Sequence, residues 1–465
     1  MRTHLPLRHL VSAVAVCSAV TLFASACSMG SSSDDTTTSA VPELGPDQKV
    51  SIVFESYNYG LAGAWTDTFN TLIANFTKQH PNITVKAQKP QGNSPNPAGD
   101  AVSSVQSQTV AGSPPDVAQL GFGDFDFTIH QLGAKPLSTL FGEAAVQANF
   151  QGDKYPYASA VRTLGDSGGV TYGIPFVMST PVLYYNADLF RAAGLDPAKP
   201  PTTWDEVAAD AKAIATKTGK GGAYLDCLTK SATDWCYQSL VRSAGGQVIS
   251  DDRKTLSFAD PAALTVTTMA QNMVKSGATP VYTQQQGYEA FARGDMGMIL
   301  ESSSLQATFL KGAKGKWELR AAPLPAFAGH TPVPTNSGVA LYTFAKDPAK
   351  QRAAWELIEY LTGNEAFTTI AKGIGYLPLR TGLVNDPAYL ADWASKNRAL
   401  LTPNLEQLEK IKPWMSMPGN SYKQIQTNLM TAVESSVYQG ADHVSCSPTP
   451  RTNRRAFSRR AEDGF

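Results

Sequence analysis

Histidine and cysteine are scarce, six and five among 465 residues. The histidines are scattered singly, and no His-Glu-x-x-His, Cys-x-x-Cys or Gly-x-x-x-x-Gly-Lys-Ser/Thr run occurs. Metal-dependent hydrolysis and nucleotide binding therefore have no local signature, and no cofactor or metal is expected. Neither sign of charge is in excess. Lys plus Arg equals Asp plus Glu at 39 each, which removes the electrostatic argument for a nucleic-acid partner and weakly favours a small neutral ligand. Beyond Phe23 no long apolar run occurs, so the body of the chain carries no helical membrane span.

The amino end is different in kind. Arg2 and Arg8 precede an apolar stretch from Leu10 to Phe23, and small residues Ala24, Ser25 and Ala26 lead to Cys27. This reads as a secretory signal peptide over 1–26. Cys27, followed by a Ser/Gly/Asp/Thr-rich tract, resembles a bacterial lipobox with Ala24 where leucine is commoner. Lipidation of Cys27 would hold the protein on the extracytoplasmic face of the cell membrane. The polar tract 27–47 has few apolar residues to bury and is expected to be a flexible linker. About 440 residues follow the cleavage site, enough for two or more domains at roughly 100 to 200 residues each.

Outside the cytoplasm, two cysteines closing a short loop most often pair. Cys227 and Cys236 fit that description, and a metal pair is the lesser reading because no histidine is near. Cys446 falls in a tail, 444–465, that holds Arg451, Arg454, Arg455, Arg459 and Arg460 with almost no apolar periodicity. A basic arm, a disordered appendage and a frame-shifted end all fit this composition, and no function is assigned to it.

Along the body, Lys49 to Glu55 alternates and is β-branched, predicting a first strand. Phe69, Leu72, Ile73 and Phe76 recur at helical spacing; His80-Pro81-Asn82 stops that helix before a strand from Ile83 to Ala87. Val102 to Ala111 predicts another helix, and Pro114 to Leu120 enters a third strand. This strand-helix-strand opening favours a parallel sheet, whose carboxyl ends commonly carry the ligand. Thr203 and Glu206 form a capping box for a helix reaching about Thr218.

The sharpest enzyme motif is Gly165-Asp166-Ser167-Gly168-Gly169, identical to the nucleophile loop of trypsin-like proteases. Such an enzyme also needs an upstream general base and its orienting carboxylate. His80 and His130 sit in His-Pro-Asn and Ile-His-Gln, and Val170 follows where proline would. The flanks predict two strands around a Gly-rich hairpin instead.

The most telling run is Pro175-Phe-Val-Met-Ser-Thr-Pro-Val-Leu-Tyr-Tyr-Asn-Ala-Asp-Leu-Phe190, followed by Ala-Ala-Gly-Leu-Asp-Pro and Thr203-Trp204-Asp205-Glu206. With Phe291-Ala-Arg-Gly-Asp-Met-Gly-Met-Ile-Leu leading to Ser304, Asn336-Ser337-Gly338, and Gly375-Tyr376-Leu377-Pro378, it resembles the bacterial extracellular solute-binding proteins (family 1) that feed ABC importers. The resemblance spans most of residues 48 to 440. It implies an α/β, two-lobed periplasmic-binding-protein-like fold (class II) with a hinge between the lobes. The expected first lobe comprises 48–182 and 322–345, with Trp317 to Pro325 carrying the chain back to it. The expected second lobe comprises 183–321 and 346–443. The implied protein is a non-enzymatic monomer, bound to the membrane through its lipid, handing a carbohydrate-like solute to ABC permease subunits.

A sugar presents apolar C–H faces and a rim of hydroxyls, so its site wants flat aromatics and many hydrogen-bonding side chains. Tyr57, Tyr59 and Trp65 follow the first strand, and Phe122, Asp124 and Phe125 follow the third; Trp235, Tyr376 and Trp414 are further candidates. Trp204 and Trp355 are expected in the core. The Ser-Thr-Pro run, the serine loop and Gly-Tyr-Leu-Pro resemble most the glycerol-3-phosphate and glycerophosphodiester-binding branch. That likeness would make Ser179, one of Ser302, Ser303 and Ser304, Gly338 and Tyr376 ligand contacts. The chain also departs from the branch. Its first-lobe tyrosine has no counterpart at Gly92-Asn93-Ser94, its acidic residue falls on or near Phe122 with Asp124 close by, and its phosphate-gripping arginine is missing. Lys423 is the only cation in Pro418-Gly-Asn-Ser-Tyr-Lys-Gln424, and a bound phosphate normally demands a charge-assisted partner. A neutral sugar or oligosaccharide and a phosphoester therefore both remain open. The rival class is a secreted sugar or phosphodiester hydrolase using cleft carboxylates such as Asp124 and Glu301. A surface lipoprotein without a ligand is the third reading.

Overall fold

The computed structural model describes residues 41–61, 63–93 and 97–440. The signal segment, Cys27 and the basic tail with Cys446 lie outside the described residues. In the first sheet, β1 (Val50–Glu55), β2 (Ile83–Gln88) and β3 (Val117–Gly121) run parallel, as the opening strand-helix-strand pattern predicts. The helix Ala64–Gln79 joins β1 to β2 and buries Phe69, Leu72 and Phe76, the residues whose spacing marks it in the sequence. A helix over Pro97–Val110 precedes β3. The protease-like glycines form a hairpin: Asp166–Ser167 pairs antiparallel with Val170–Thr171, and Gly168 and Gly169 make the turn at φ of 59° and 79°.

The run with the strongest motif is two strands: β4 (Gly173–Ser179) belongs to the first sheet and β5 (Pro181–Asn186) to the second. Thr180 is the crossing. The second sheet adds β6 (Gly221–Leu225), β7 (Met296–Ser302) and β8 (Leu319–Ala322), with β6 and β7 parallel. The chain returns to the first sheet as β9 (Ser337–Thr343), which lies between β3 and β4 and antiparallel to both. The five-stranded sheet is ordered β2-β1-β3-β9-β4, and the four-stranded one β8-β5-β7-β6. Each sheet has its own hydrophobic core, and the molecule has two lobes. Thr203 and Glu206 form the expected capping box, and Trp204 and Trp355 are buried.

Three expectations about organisation are corrected. The segment Trp317 to Pro325 does not return to the first lobe. Its strand β8 pairs antiparallel with β5, from Leu319 opposite Asn186 to Ala322 opposite Leu183, and Leu324 and Phe327 beyond it still lie in the second core. Residues 346 onward do not go to the second lobe as a block. The helices Pro348–Leu361 and Asn364–Ile374 bury Trp355, Leu357, Ile358, Phe367 and Ile370 in the first core, and the second core receives Leu400 and then the chain from Met417 to Tyr438. An amphipathic helix shows which face it buries but not which sheet receives it. The linker 27–47 is not free to its end. Val41 lies in the first core, its N–H donates to the Leu140 carbonyl at 3.2 Å, and the Arg352 guanidinium bonds to the Pro42 carbonyl at 3.2 Å and pairs with Glu43 at 3.1 Å.

Candidate functional site

Strand direction brings chemistry-bearing residues to one edge of each sheet. At the first, the carboxyl ends of β1, β3 and β4 deliver Ser56 and Tyr57, Phe122 to Asp124, and Ser179, and the start of β9 adds Asn336 to Gly338. At the second, β6 and β7 end in Asp226 to Leu228 and in Ser302 to Ser304, beside the start of β5 at Pro181. Because β4 runs into β5 through Thr180 alone, the two edges meet at that crossing. Ser302 Oγ donates to Ser179 Oγ at 2.7 Å, and Ser302 and Ser304 hydroxyls lie 2.8 Å apart.

The crossing itself is held by polar side chains. Thr180 N–H donates to Ser303 Oγ at 3.1 Å, Ser303 N–H donates to the Thr180 carbonyl at 2.9 Å, and Thr180 Oγ1 donates to Asn404 Oδ1 at 3.1 Å. Gln407 bonds the Pro181 carbonyl through Nε2 at 3.0 Å and the Leu324 N–H through Oε1 at 3.0 Å. Gly338 has φ of 118°, and a β-carbon there would stand 2.1 Å from the Val177 carbonyl oxygen. Its glycine answers a close backbone approach in the sheet, a demand met before any ligand arrives.

Aromatics form two groups. Tyr57 and Tyr376 touch hydroxyl to hydroxyl at 3.0 Å, and Trp65 meets the Tyr376 ring edge-on with centroids 5.6 Å apart. Burial pushes both phenols up, Tyr57 most. The second group surrounds Trp414, which packs against both cores. Its Nε1–H donates to Asp234 Oδ1 at 3.0 Å, and its backbone N–H donates to Asn336 Oδ1 at 2.8 Å. Asp234 is fully buried and also accepts from Gln238 Nε2 at 2.8 Å and from Gln426 Nε2 at 2.5 Å. Burial raises its carboxyl above the usual range and these donors oppose the rise. Asn336 Nδ2, in a residue with no exposed surface, has no hydrogen-bond partner.

Several other expected contacts pack in or against the cores. Tyr59 packs between Phe54 and Phe69, edge-on to each at 6.4 and 6.0 Å, half-buried against the first core. Phe122 is buried in that core and Trp235 in the second. Large apolar rings beside a strand end gain more by facing a core than an open edge. Ser303 serves the crossing. Cys227 and Cys236 are joined, with Cα atoms 5.0 Å apart, directly after β6.

Asp124 and Lys423 do come together. Tyr422 Oη donates to Asp124 Oδ1 at 2.6 Å and Lys423 Nζ lies 3.8 Å away; burial raises the Asp124 carboxyl, and Lys423 and Tyr422 pull it back. Lys423 also lines a cavity of about 360 Å³ between the Val102–Val110 helix face and Asn420, outside the two edges. Glu301 hydrogen-bonds instead with Asp226, and both are buried in the second lobe, so the suggested Asp124 and Glu301 carboxylates belong to separate clusters. Sequence reasoning did not find Asp234, Gln238 or the Asp226–Glu301 pair, and it placed Asn336 only within a family motif. The four-residue spacing of Asp234 and Gln238 on one helix was the available signal. Among the described residues, no group of three or more His, Cys, Asp or Glu could hold a metal, and no helix is long and apolar enough to cross a membrane.

Two lobes with separate cores, joined by short crossings and meeting along edges rich in hydroxyls, amides and aromatic rings, define a hinged binding protein. Residues 62–366 match the model of the bacterial extracellular solute-binding protein family, and the chain belongs to that family. It is 25% identical over 331 residues to the sn-glycerol-3-phosphate-binding periplasmic protein of Pectobacterium atrosepticum, covering 70% of this chain and 72% of that protein. A putative binding protein of Brucella abortus is 26% identical, and the chain spans about half of its length, 51%. In fold, the chain is similar to UgpB of Mycobacterium tuberculosis, solved in complex with glycerophosphocholine, with TM-score 0.75 and 20% identity over 89% of this chain and 99% of that one. The cyclic alpha-maltosyl-1,6-maltose binding protein of Arthrobacter globiformis gives TM-score 0.71 and 21% identity over 88% and 99%.

Proposed function

We propose that the protein is the substrate-binding component of an ABC importer, anchored through lipid on Cys27, which captures a carbohydrate-like solute by hinge closure and delivers it to the permease. The meeting of the two strand-end edges at Thr180 is the observation that carries this reading. A solute bound by side chains of both edges stabilises the closed arrangement, and only that difference in affinity can shift the open-closed equilibrium. The ligand names of the relatives support a sugar or oligosaccharide, glycerol 3-phosphate or a glycerophosphodiester. Where the branch's phosphate-gripping arginine is expected, Lys423 stands beside Asp124, and a phosphate would have to compete with that carboxylate. Neutral saccharides are accordingly the first compounds to try.

The test is thermal unfolding of the protein with maltose, maltotetraose, glycerol 3-phosphate and glycerophosphocholine. A compound at about 100 times its dissociation constant adds roughly 2.7 kcal/mol of stability. A melting shift with any of them supports solute capture and separates sugar from phosphoester; no shift with the whole panel counts against a carbohydrate-like ligand. For the anchor, Cys27→Ala is expected to move the protein from the membrane fraction to the soluble fraction of its host.

A further inference from the structure

Beyond the edges that meet at Thr180, the lobes are also bound to each other through one short segment of the first lobe. Asp124 accepts from Tyr422 and Asp126 N–H donates to Ser416 Oγ at 3.3 Å, while the Phe127 and Tyr422 rings lie 5.4 Å apart. The Asp126 carboxylate is paired with the guanidinium of Arg253, which comes from the second lobe, and both side chains are mostly shielded, 19% and 25% exposed. His130 Nε2 lies 3.6 Å from the same carboxylate.

Arg253 is held in an unusual backbone state. It sits at the tip of a turn closed by Ser250 N–H to the Thr255 carbonyl at 2.9 Å and by Arg253 N–H to the Ser250 carbonyl at 2.8 Å, with φ of 59°. Glycine or asparagine would hold this left-handed position at less cost. A strained residue persists where its surroundings over-determine it. Here the feature that an arginine supplies and a glycine cannot is the ion pair with the opposite lobe.

We propose that Asp126 and Arg253 are a positioning pair for solute capture. Without touching the solute they favour the closed arrangement, and so set how long a bound solute is kept. The inference rests on the capture reading above. A solute that binds only the closed form has an apparent dissociation constant equal to its intrinsic one divided by the closed fraction, so weakening the pair weakens binding from a distance.

The experiment is small-angle X-ray scattering of the ligand-free full chain, followed by titration with maltose and glycerophosphocholine. Arg253→Gly, which the turn geometry accepts, and Asp126→Asn are expected to enlarge the radius of gyration while leaving the melting temperature within about two degrees. The charge-exchanged double variant Asp126→Arg with Arg253→Asp is expected to restore the wild-type radius. Whichever of the two compounds binds should do so roughly 3- to 10-fold more weakly to the single variants, mostly through faster release. An unchanged radius in Arg253→Gly overturns the proposal, as does failure of the exchanged pair to restore it. If neither compound binds the wild type, scattering alone still decides the latch, and that failure falls on the solute class only.

Discussion

The indole of Trp414 lies so close to the loop after β3 that a β-carbon built at Gly123 would stand 2.4 Å from its Cη2. Trp414 reaches this position because Asp234 and Asn336 hold its two N–H groups, one from each lobe's edge. The ring therefore fills the space where the lobes approach, and Gly123 is the residue that lets it.

Replacing Gly123 by alanine should force the ring or the loop aside. Overpacking of this kind costs about 1–3 kcal/mol. Chemical denaturation should report that loss, and calorimetric titration with a bound solute should show weakened affinity. A fully wild-type variant would mean that the loop moves at no cost.

Asp234 makes a second test of the same arrangement. Asp234→Asn keeps the size but removes the buried negative charge that accepts from Trp414, Gln238 and Gln426. Hydrogen bonds to a charged group contribute about 1.5–3 kcal/mol. A blue or red displacement of tryptophan emission together with a lower melting temperature is expected.

The disulfide between Cys227 and Cys236 closes a short loop at the end of β6. Changing both to serine should cost about 2–3 kcal/mol. Wild-type protein unfolded with and without reductant should show the same difference, and the double variant should no longer respond to reductant.

Asp226 and Glu301 predict a pH dependence. Burial raises both carboxyls, and the neighbouring Asp226 charge raises Glu301 further. A raised folded pKa means that the native state holds a proton that the unfolded chain has released. The stability from this pair is thus fully present below the ordinary glutamate value of 4.5 and is lost as pH rises through the raised value of Glu301. Melting temperatures measured from pH 5 to pH 8 should fall more steeply for the wild type than for Glu301→Gln, whose amide does not ionise. Parallel slopes would refute the assignment.

Local order was legible in the chain: the alternation of Val50–Glu55, the helical spacing of Phe69, Leu72 and Phe76, the capping box at Thr203 and the glycine hairpin at 168 and 169 all follow from short-range sterics and hydrogen bonding. The Ser179-Thr180-Pro181 run was legible too, as a family motif. Tertiary structure alone decided which lobe takes the helices after Pro348, that Tyr59, Phe122 and Trp235 turn into cores, and that Trp414 is gripped by Asp234. Periodicity reports that a face is apolar; it carries no information about which distant surface will cover it, because that choice is made by the summed burial of residues hundreds of positions apart.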